Sequence, residues 1–311
     1  MRIGSLIKKL VYLVISKQIN KSSDQTFLKF IFVVNSIPLF RSNFLRRVRN
    51  FLLYVPNARS CTHKVLGRPV NFLYSTDVND DFRIDCRSNF TEYELISRIF
   101  FFITSKSAKT ILDIGAYSGI YSITAALANP QSHILAFEPN PEIFTLAEIN
   151  FKINNLSKRV SLMPLALSDH LGKERLYFNV SGWESATASL NKNGDNFIEV
   201  DVSTIDFVAR DLDVDLIKID VEGFEGTVFS GGLDMLNKSH PIILSEVLTQ
   251  QNMLAQSQVL SRFGYGNPIQ VSSDPDSSDS RNYIWFTKDK SDAVLRNLSE
   301  AKASVSNSFF A

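Results

Sequence analysis

Asp113, Gly115, Tyr117, Ser118 and Gly119 fall in the run Thr-Ile-Leu-Asp-Ile-Gly-Ala-Tyr-Ser-Gly at 110–119, where an apolar stretch enters a glycine-punctuated turn. Between a strand and a helix of an open α/β sheet, such a turn lies where ligands bind, outside the carboxyl ends of the strands. Gly115 and Gly119 are expected to let the backbone approach a ligand, and Asp113 to order the loop or accept from an ammonium group. An ordinary strand-to-helix turn is the alternative. Nineteen residues after Gly119, Glu138 in Phe-Glu-Pro-Asn-Pro puts a carboxylate at the end of the next strand. Its two oxygens suit the two hydroxyls of a ribose. Asn140 follows as helix cap and as part of the same binding loop, and Pro164–Asp169, with Ala166, Leu167 and Ser168, is expected to flank an adenine.

A third group, Leu216-Ile-Lys-Ile-Asp-Val-Glu-Gly-Phe-Glu225, carries the reaction chemistry. Alternation along a buried strand points Lys218 and Asp220 the same way, with Glu222 just past the strand end. Charges are costly to bury unpaired, so these either pair with each other or face the active crevice. Asp220 and Glu222 are candidates for a base or for two hard ligands of a divalent ion, although no metal-ligand spacing indicates one. Lys218 is their electrostatic partner, and His170 is next in line as base. His63, His133, His170 and His240 are scattered without metal-ligand spacing.

Positioning these groups calls for parallel strands joined by crossover helices. Strands are predicted at Thr110–Ile114, His133–Phe137, Val160–Met163, Asp215–Ile219 and Pro241–Val247. One helix should start near Ser118 and stop at Asn129-Pro130, and another should start at Asn140-Pro141 and end near Asn154. Before them, Thr91 and Glu94 form a capping box for a helix with Leu95, Ile99 and Phe102 on one face. The β-like pieces Arg175–Phe178 and Phe197–Val202 form an insertion at the ligand edge, and Tyr283–Thr287 reads as a final strand. The expected organisation is a basic, mainly helical region over 1–89, a doubly wound (Rossmann-like) α/β domain over 90–290 and a C-terminal tail over 291–311.

Composition sets the outer limits. The chain has 311 residues, 44% hydrophobic, and a net charge of +1. That balance conceals an asymmetry: residues 1–60 hold eleven Lys or Arg against the single acid Asp24, a net +10, which leaves −9 for the remainder. The acidic body disfavours nucleic acid as a substrate. Leu6, Leu10, Leu13 and Val14 recur at helical spacing among lysines. The arm is therefore expected either to pack on the core or to touch an anionic membrane peripherally. Cys61 and Cys86 match neither a metal knuckle nor a redox dithiol, so a reducing, cytoplasmic setting is expected. No signal peptide and no transmembrane helix is predicted.

A dinucleotide fingerprint would need glycines at 115, 117 and 120, but Tyr117 and Ile120 stand at the last two. A ligand with an amino-acid tail and no phosphates fits better, and S-adenosylmethionine is such a ligand. At these motifs, together with Ala-Leu-Ser-Asp at 166–169 and Ser-Thr-Ile-Asp at 203–206, the chain resembles the FkbM-type branch of the class I S-adenosylmethionine-dependent methyltransferases from about Phe90 to Thr287. The resemblance implies O-methylation of a sugar, glycan or secondary metabolite, with residues 113–119 and Glu138 binding cofactor. Tyr117 replaces an asparagine usual in the family. Two other readings keep the fold: a cofactor-binding protein without catalysis, and a nicotinamide oxidoreductase.

Overall fold

The computed structural model describes residues 58–65, 68–75, 94–178, 189–190 and 196–306. Seven strands form the central sheet: β3 (Thr110–Ile114), β4 (His133–Phe137), β5 (Val160–Met163), β9 (Leu216–Ile219), β10 (Ile242–Glu246), β11 (Ile269–Gln270) and β12 (Asn282–Trp285). Their order is β11-β12-β10-β9-β3-β4-β5. Pairings from β10 through β5 are parallel, and β12 runs antiparallel to both its neighbours. Each predicted parallel strand is present within a residue or two of its expected bounds.

Helices cover both faces, which explains why these strands read as continuous apolar runs. On one face lie α1 (Leu95–Ser105), α2 (Ile120–Ala128), α3 (Pro141–Ile153) and α8 (Ser291–Ser306), packed with Ile111, Leu216 and Leu244. On the other, α4 (Ile205–Val208), α5 (Glu225–Ser230), α6 (Leu233–Ser239) and α7 (Gln250–Leu260) pack with Leu112, Ile217 and Ile243. Successive strand residues thus enter opposite cores. No helix among the described residues is long and apolar enough to cross a membrane.

Within the N-terminal region, expected to be mainly helical, the described residues form a hairpin, β1 (Ala58–Val65) with β2 (Arg68–Ser75). It is clasped to the end of α3, where Asn154 Oδ1 accepts from Asn71 N and Asn154 Nδ2 donates to Asn71 O. Three expectations are corrected. The segment read as a C-terminal tail is α8, which buries Val294, Leu298 and Ala301 in the core. On α1 the buried aromatics are Phe100 and Phe101, while Phe102 is partly exposed. Lastly, α1 is not capped locally by Glu94. Its first free N–H groups, those of Ile96 and Ser97, donate to the Asp279 carboxylate at 2.9 and 2.8 Å, and Glu94 N donates to Ser278 Oγ. A carboxylate at that position satisfies orphan donors and the positive helix end together. Thr91, like residues 1–57 of the basic arm, lies outside the described residues.

The inserted β pieces form a separate small sheet, β6 (Ala166–Leu167), β8 (Asn196–Ser203) and β7 (Gly172–Phe178), in the order β6-β8-β7. Leu176 on β7 and Ala166 on β6 turn toward the carboxyl ends of the main strands, where they wall one side of a pocket.

Candidate active site

The pocket, about 280 Å³, opens where β3, β4, β9 and β10 end. Its floor starts at the turn after β3. Gly115, Tyr117 and Gly119 all have positive φ, at 78°, 47° and 85°. A Cβ on Gly115 would lie 1.9 Å from the Asp220 carbonyl oxygen, so the loop and the β9 end touch backbone to backbone there. On Gly119 it would strike the Phe151 ring of α3 at 2.4 Å. The absent side chain of Gly119 therefore makes room for α3, and Gly119 lies outside the pocket lining. Asp113 lies outside it too. Its Oδ2 accepts from Ser122 N at 2.9 Å and Ser122 Oγ at 2.5 Å, which ties the loop to the first turn of α2. Burial raises its pKa to about 6 against the pull of those bonds. Of its two expected roles, the geometry supports ordering the loop.

Glu138 follows β4 and faces this loop, only 7% exposed. Oε2 accepts from Tyr117 N at 3.0 Å and Oε1 from Asn140 N at 2.9 Å. Burial lifts its pKa to about 7 despite these two bonds. Asn140 Oδ1 in turn accepts from Glu142 N and Ile143 N, capping α3 as expected. Ser118 is fully buried and lines the pocket, and its hydroxyl has no hydrogen-bond partner among the described residues. Leu165, Ala166 and Leu167 add an apolar wall, whereas Ser168 turns away and its N–H donates to Ser203 O.

The opposite end is crowded with charge. Lys218, 2% exposed, reaches Asp220 Oδ2 at 3.3 Å and Asn282 Oδ1 at 3.4 Å, and lies 5.1 Å above the Tyr121 ring. Burial works against its ammonium, but Asp220, Glu94 and Glu246 outweigh it and hold its pKa above the usual lysine range. Glu94 accepts from Tyr121 Oη at 2.7 Å and from Asn282 Nδ2 at 2.8 Å. Glu222 has φ 56°, and burial with Asp220 and Glu225 nearby raises its pKa to about 7. Lys218 and Asp220 thus pair with each other and also line the crevice, as does Glu222.

Asp220, Glu225 and Glu246 each bring an oxygen within 4.8 Å of the others. Glu225, however, already accepts from Val221 N, Gly223 N and Asn252 Nδ2, and Asp220 is ion-paired with Lys218, so a divalent ion would have to compete for two of the three carboxylates. His170 pairs with Asp169 and Glu174 on the exposed edge of the small sheet and lies outside the pocket lining.

Four residues that the sequence did not assign to the site belong to this end: Glu94, Tyr121, Glu246 and Arg281. Glu246 was within reach, since the strand-end argument applied to Asp220 applies equally to the carboxyl end of β10. Nothing local marks Glu94, whose neighbourhood favours a cap.

The family model for the FkbM methyltransferase domain matches residues 113–273, just over half of the chain. A curated relative, methyltransferase sdnD of Sordaria araneosa, is 29% identical over 153 residues, covering 39% of this chain and 59% of its own length. Among solved structures the chain is similar to a methyltransferase FkbM from Methylobacillus flagellatus KT, at 16% identity over 58% of this chain and 44% of that one, with a TM-score of 0.43. It is also similar to a precorrin-6y C5,15-methyltransferase from Geobacter metallireducens GS-15, at 17% identity over 60% and 86% of the two chains, with a TM-score of 0.37.

Proposed function

We propose that this chain, which belongs to the FkbM methyltransferase family, transfers the methyl group of S-adenosylmethionine to a hydroxyl of a sugar, glycan or secondary metabolite. The observation that carries the reading is one continuous pocket that joins the glycine loop and Glu138 at one end to Asp220 and Glu222 at the other. The residues present fit the cofactor. Glu138 has its carboxylate oriented by two backbone N–H groups, and each oxygen keeps a lone pair for a ribose hydroxyl. The orphan hydroxyl of Ser118 offers a further polar contact, and Leu165–Leu167 supply an apolar surface for a purine. The acid-rich end complements a cation.

When bound, S-adenosylmethionine supplies an electrophilic methyl group on a sulfonium. The chain's own part is to hold the acceptor oxygen in line with that methyl and to receive the hydroxyl proton. In this reading Asp220 and Glu222, both on the pocket wall, take it. Lys218, buried beneath Asp220, fixes that carboxylate by ion pairing.

Isothermal titration with S-adenosylmethionine and with a nicotinamide nucleotide tests the cofactor, and release of S-adenosylhomocysteine with an acceptor tests the reaction. Binding of S-adenosylmethionine alone is expected. Preference for the nicotinamide would sink the reading, and binding without release over a broad panel of hydroxylated acceptors would reduce the protein to a binding module.

A further inference from the structure

At the acid end two adjacent parallel strands finish in carboxylates. Ile219 of β9 is in register with Ser245 of β10, so Asp220 and Glu246 leave the sheet side by side. Around them stand Lys218 from β9, Glu94 just before α1, Glu222 and Glu225 from the turn after β9 and the head of α5, and Asn282 and Arg281 at the start of β12. Most of these groups are engaged. Both oxygens of Glu94 accept hydrogen bonds, Glu225 accepts three, and the Lys218 ammonium is shared by Asp220 and Asn282. Glu246 differs: its Oε2 is buried and has no hydrogen-bond partner among the described residues, although the residue lines the pocket.

Resting on the methyl-transfer reading, we propose that Asp220 and Glu246 together hold a vicinal diol, so that the acceptor is a sugar or cyclitol face presenting two neighbouring hydroxyls. Two carboxyl groups this close share a proton rather than both ionising. Burial, then Asp220 and Glu222, push the Glu246 pKa well above the usual range, with Lys218 opposing, so the shared proton resides on Glu246. Glu246 then satisfies Asp220 through one oxygen and leaves Oε2 to accept from a substrate hydroxyl. The remaining lone pairs of Asp220 face the other hydroxyl. In the transfer step that second oxygen forms a bond to the methyl carbon as the carbon–sulfur bond breaks. The bonding electrons pass to sulfur, and the hydroxyl proton passes to the Asp220 carboxylate. The neighbouring hydroxyl stays bound to Glu246 Oε2 and fixes which oxygen is methylated. A single alcohol leaves that oxygen unpaired, which weakens its transition state relative to a diol.

The test compares S-adenosylhomocysteine release from cis- and trans-1,2-cyclohexanediol, cyclohexanol and cyclohexylamine at saturating S-adenosylmethionine, with cofactor affinity titrated in parallel. One of the diols is expected to exceed cyclohexanol in kcat/KM by about tenfold, the scale of leaving a buried acceptor unsatisfied. Glu246→Gln is expected to lower diol turnover and bring the diol-to-alcohol ratio toward one while leaving S-adenosylmethionine affinity unchanged. Should that variant misfold, Glu246→Asp, which retracts the carboxyl but keeps it, is expected to shrink the ratio less. Equal rates for diol and alcohol, a ratio preserved in both variants, the amine as fastest substrate, or no turnover of any probe by enzyme that binds cofactor would each overturn the diol assignment. Failure of the wild type to bind S-adenosylmethionine would instead overturn the methyl-transfer reading beneath it.

Discussion

At the β3 and β4 end of the pocket, one carboxylate, Glu138, is held by backbone N–H groups of residues within 21 positions of it. At the β9 and β10 end, Glu94, Lys218, Asp220 and Glu246 are held chiefly by one another and by Asn282, across separations of up to 188 positions. The first arrangement is rigid and cheap to specify, because a turn with three left-handed residues aims its own donors. The second depends on strands and helices arriving from distant parts of the chain. It stores charge in a dry setting where removing one member leaves the others uncompensated. Backbone donors suit an invariant ligand, while a side-chain network suits a reacting partner whose protons must move.

The largest effect should come from breaking that network. Replacing Lys218 by Met is expected to cost on the order of 3–5 kcal/mol in denaturant unfolding, because Asp220 and Glu94 lose the buried cation between them. Adding Glu94→Gln should recover part of the loss. A change below about 1 kcal/mol would show that the charges there are effectively solvated and that the contrast between the two ends is false.

At the other end, Glu138→Ala should weaken S-adenosylmethionine binding by about 1.5–3 kcal/mol, the range for hydrogen bonds to a charged group, with the circular dichroism spectrum retained. The sign of its pH dependence follows from burial. The folded pKa is raised from 4.5 to about 7, so the favourable contribution to folding is fully present below 4.5 and is lost as pH rises through about 7. Cofactor affinity runs the opposite way, strengthening over that window as the carboxylate gains its second acceptor oxygen. Glu138→Gln should flatten both trends, and titrations between pH 5 and pH 8 with parallel unfolding curves check them.

Gly115→Ala probes the contact between the two ends and is expected to destabilise the fold by about 1–3 kcal/mol, from its positive φ and from displacement of the Asp220 carbonyl. Unchanged stability would mean that the loop and the β9 end move independently. The smallest effect belongs to Ser118→Ala. Its hydroxyl has no partner among the described residues, so unfolding should change little while cofactor affinity falls by about 0.5–1.5 kcal/mol. A stability loss without an affinity change would assign the hydroxyl to the fold.

The same contrast governs what could be read from the sequence. The parallel strands and the Asn140 cap were legible because period, glycine and proline are local signals. So were the position of Glu138 at the end of β4 and the pairing of Lys218 with Asp220. Asp113 and Gly119 belong to the motif but serve packing, on Ser122 and Phe151, which the motif alone does not distinguish from ligand contact. Glu94 was misread because Thr-x-x-Glu describes a cap equally well, and its true partners, Tyr121 and Asn282, lie 27 and 188 positions away. The hairpin at residues 58–75 lacks the Asn-Gly turn that would have announced it.

The distant cap on α1 also bears on how the protein is made. Asp279 anchors the start of a helix that leaves the ribosome more than 180 residues earlier, and Asn282 arrives just behind it to engage Glu94. The glycine loop and Glu138 can therefore assemble on a nascent chain well before the acid end has its partners. Contacts of such long sequence separation form late and slow the folding of the whole. Pulse-labelled hydrogen exchange during refolding should then show the β3–β4 amides protected ahead of those at the start of α1, so that the acid end of the pocket is completed last.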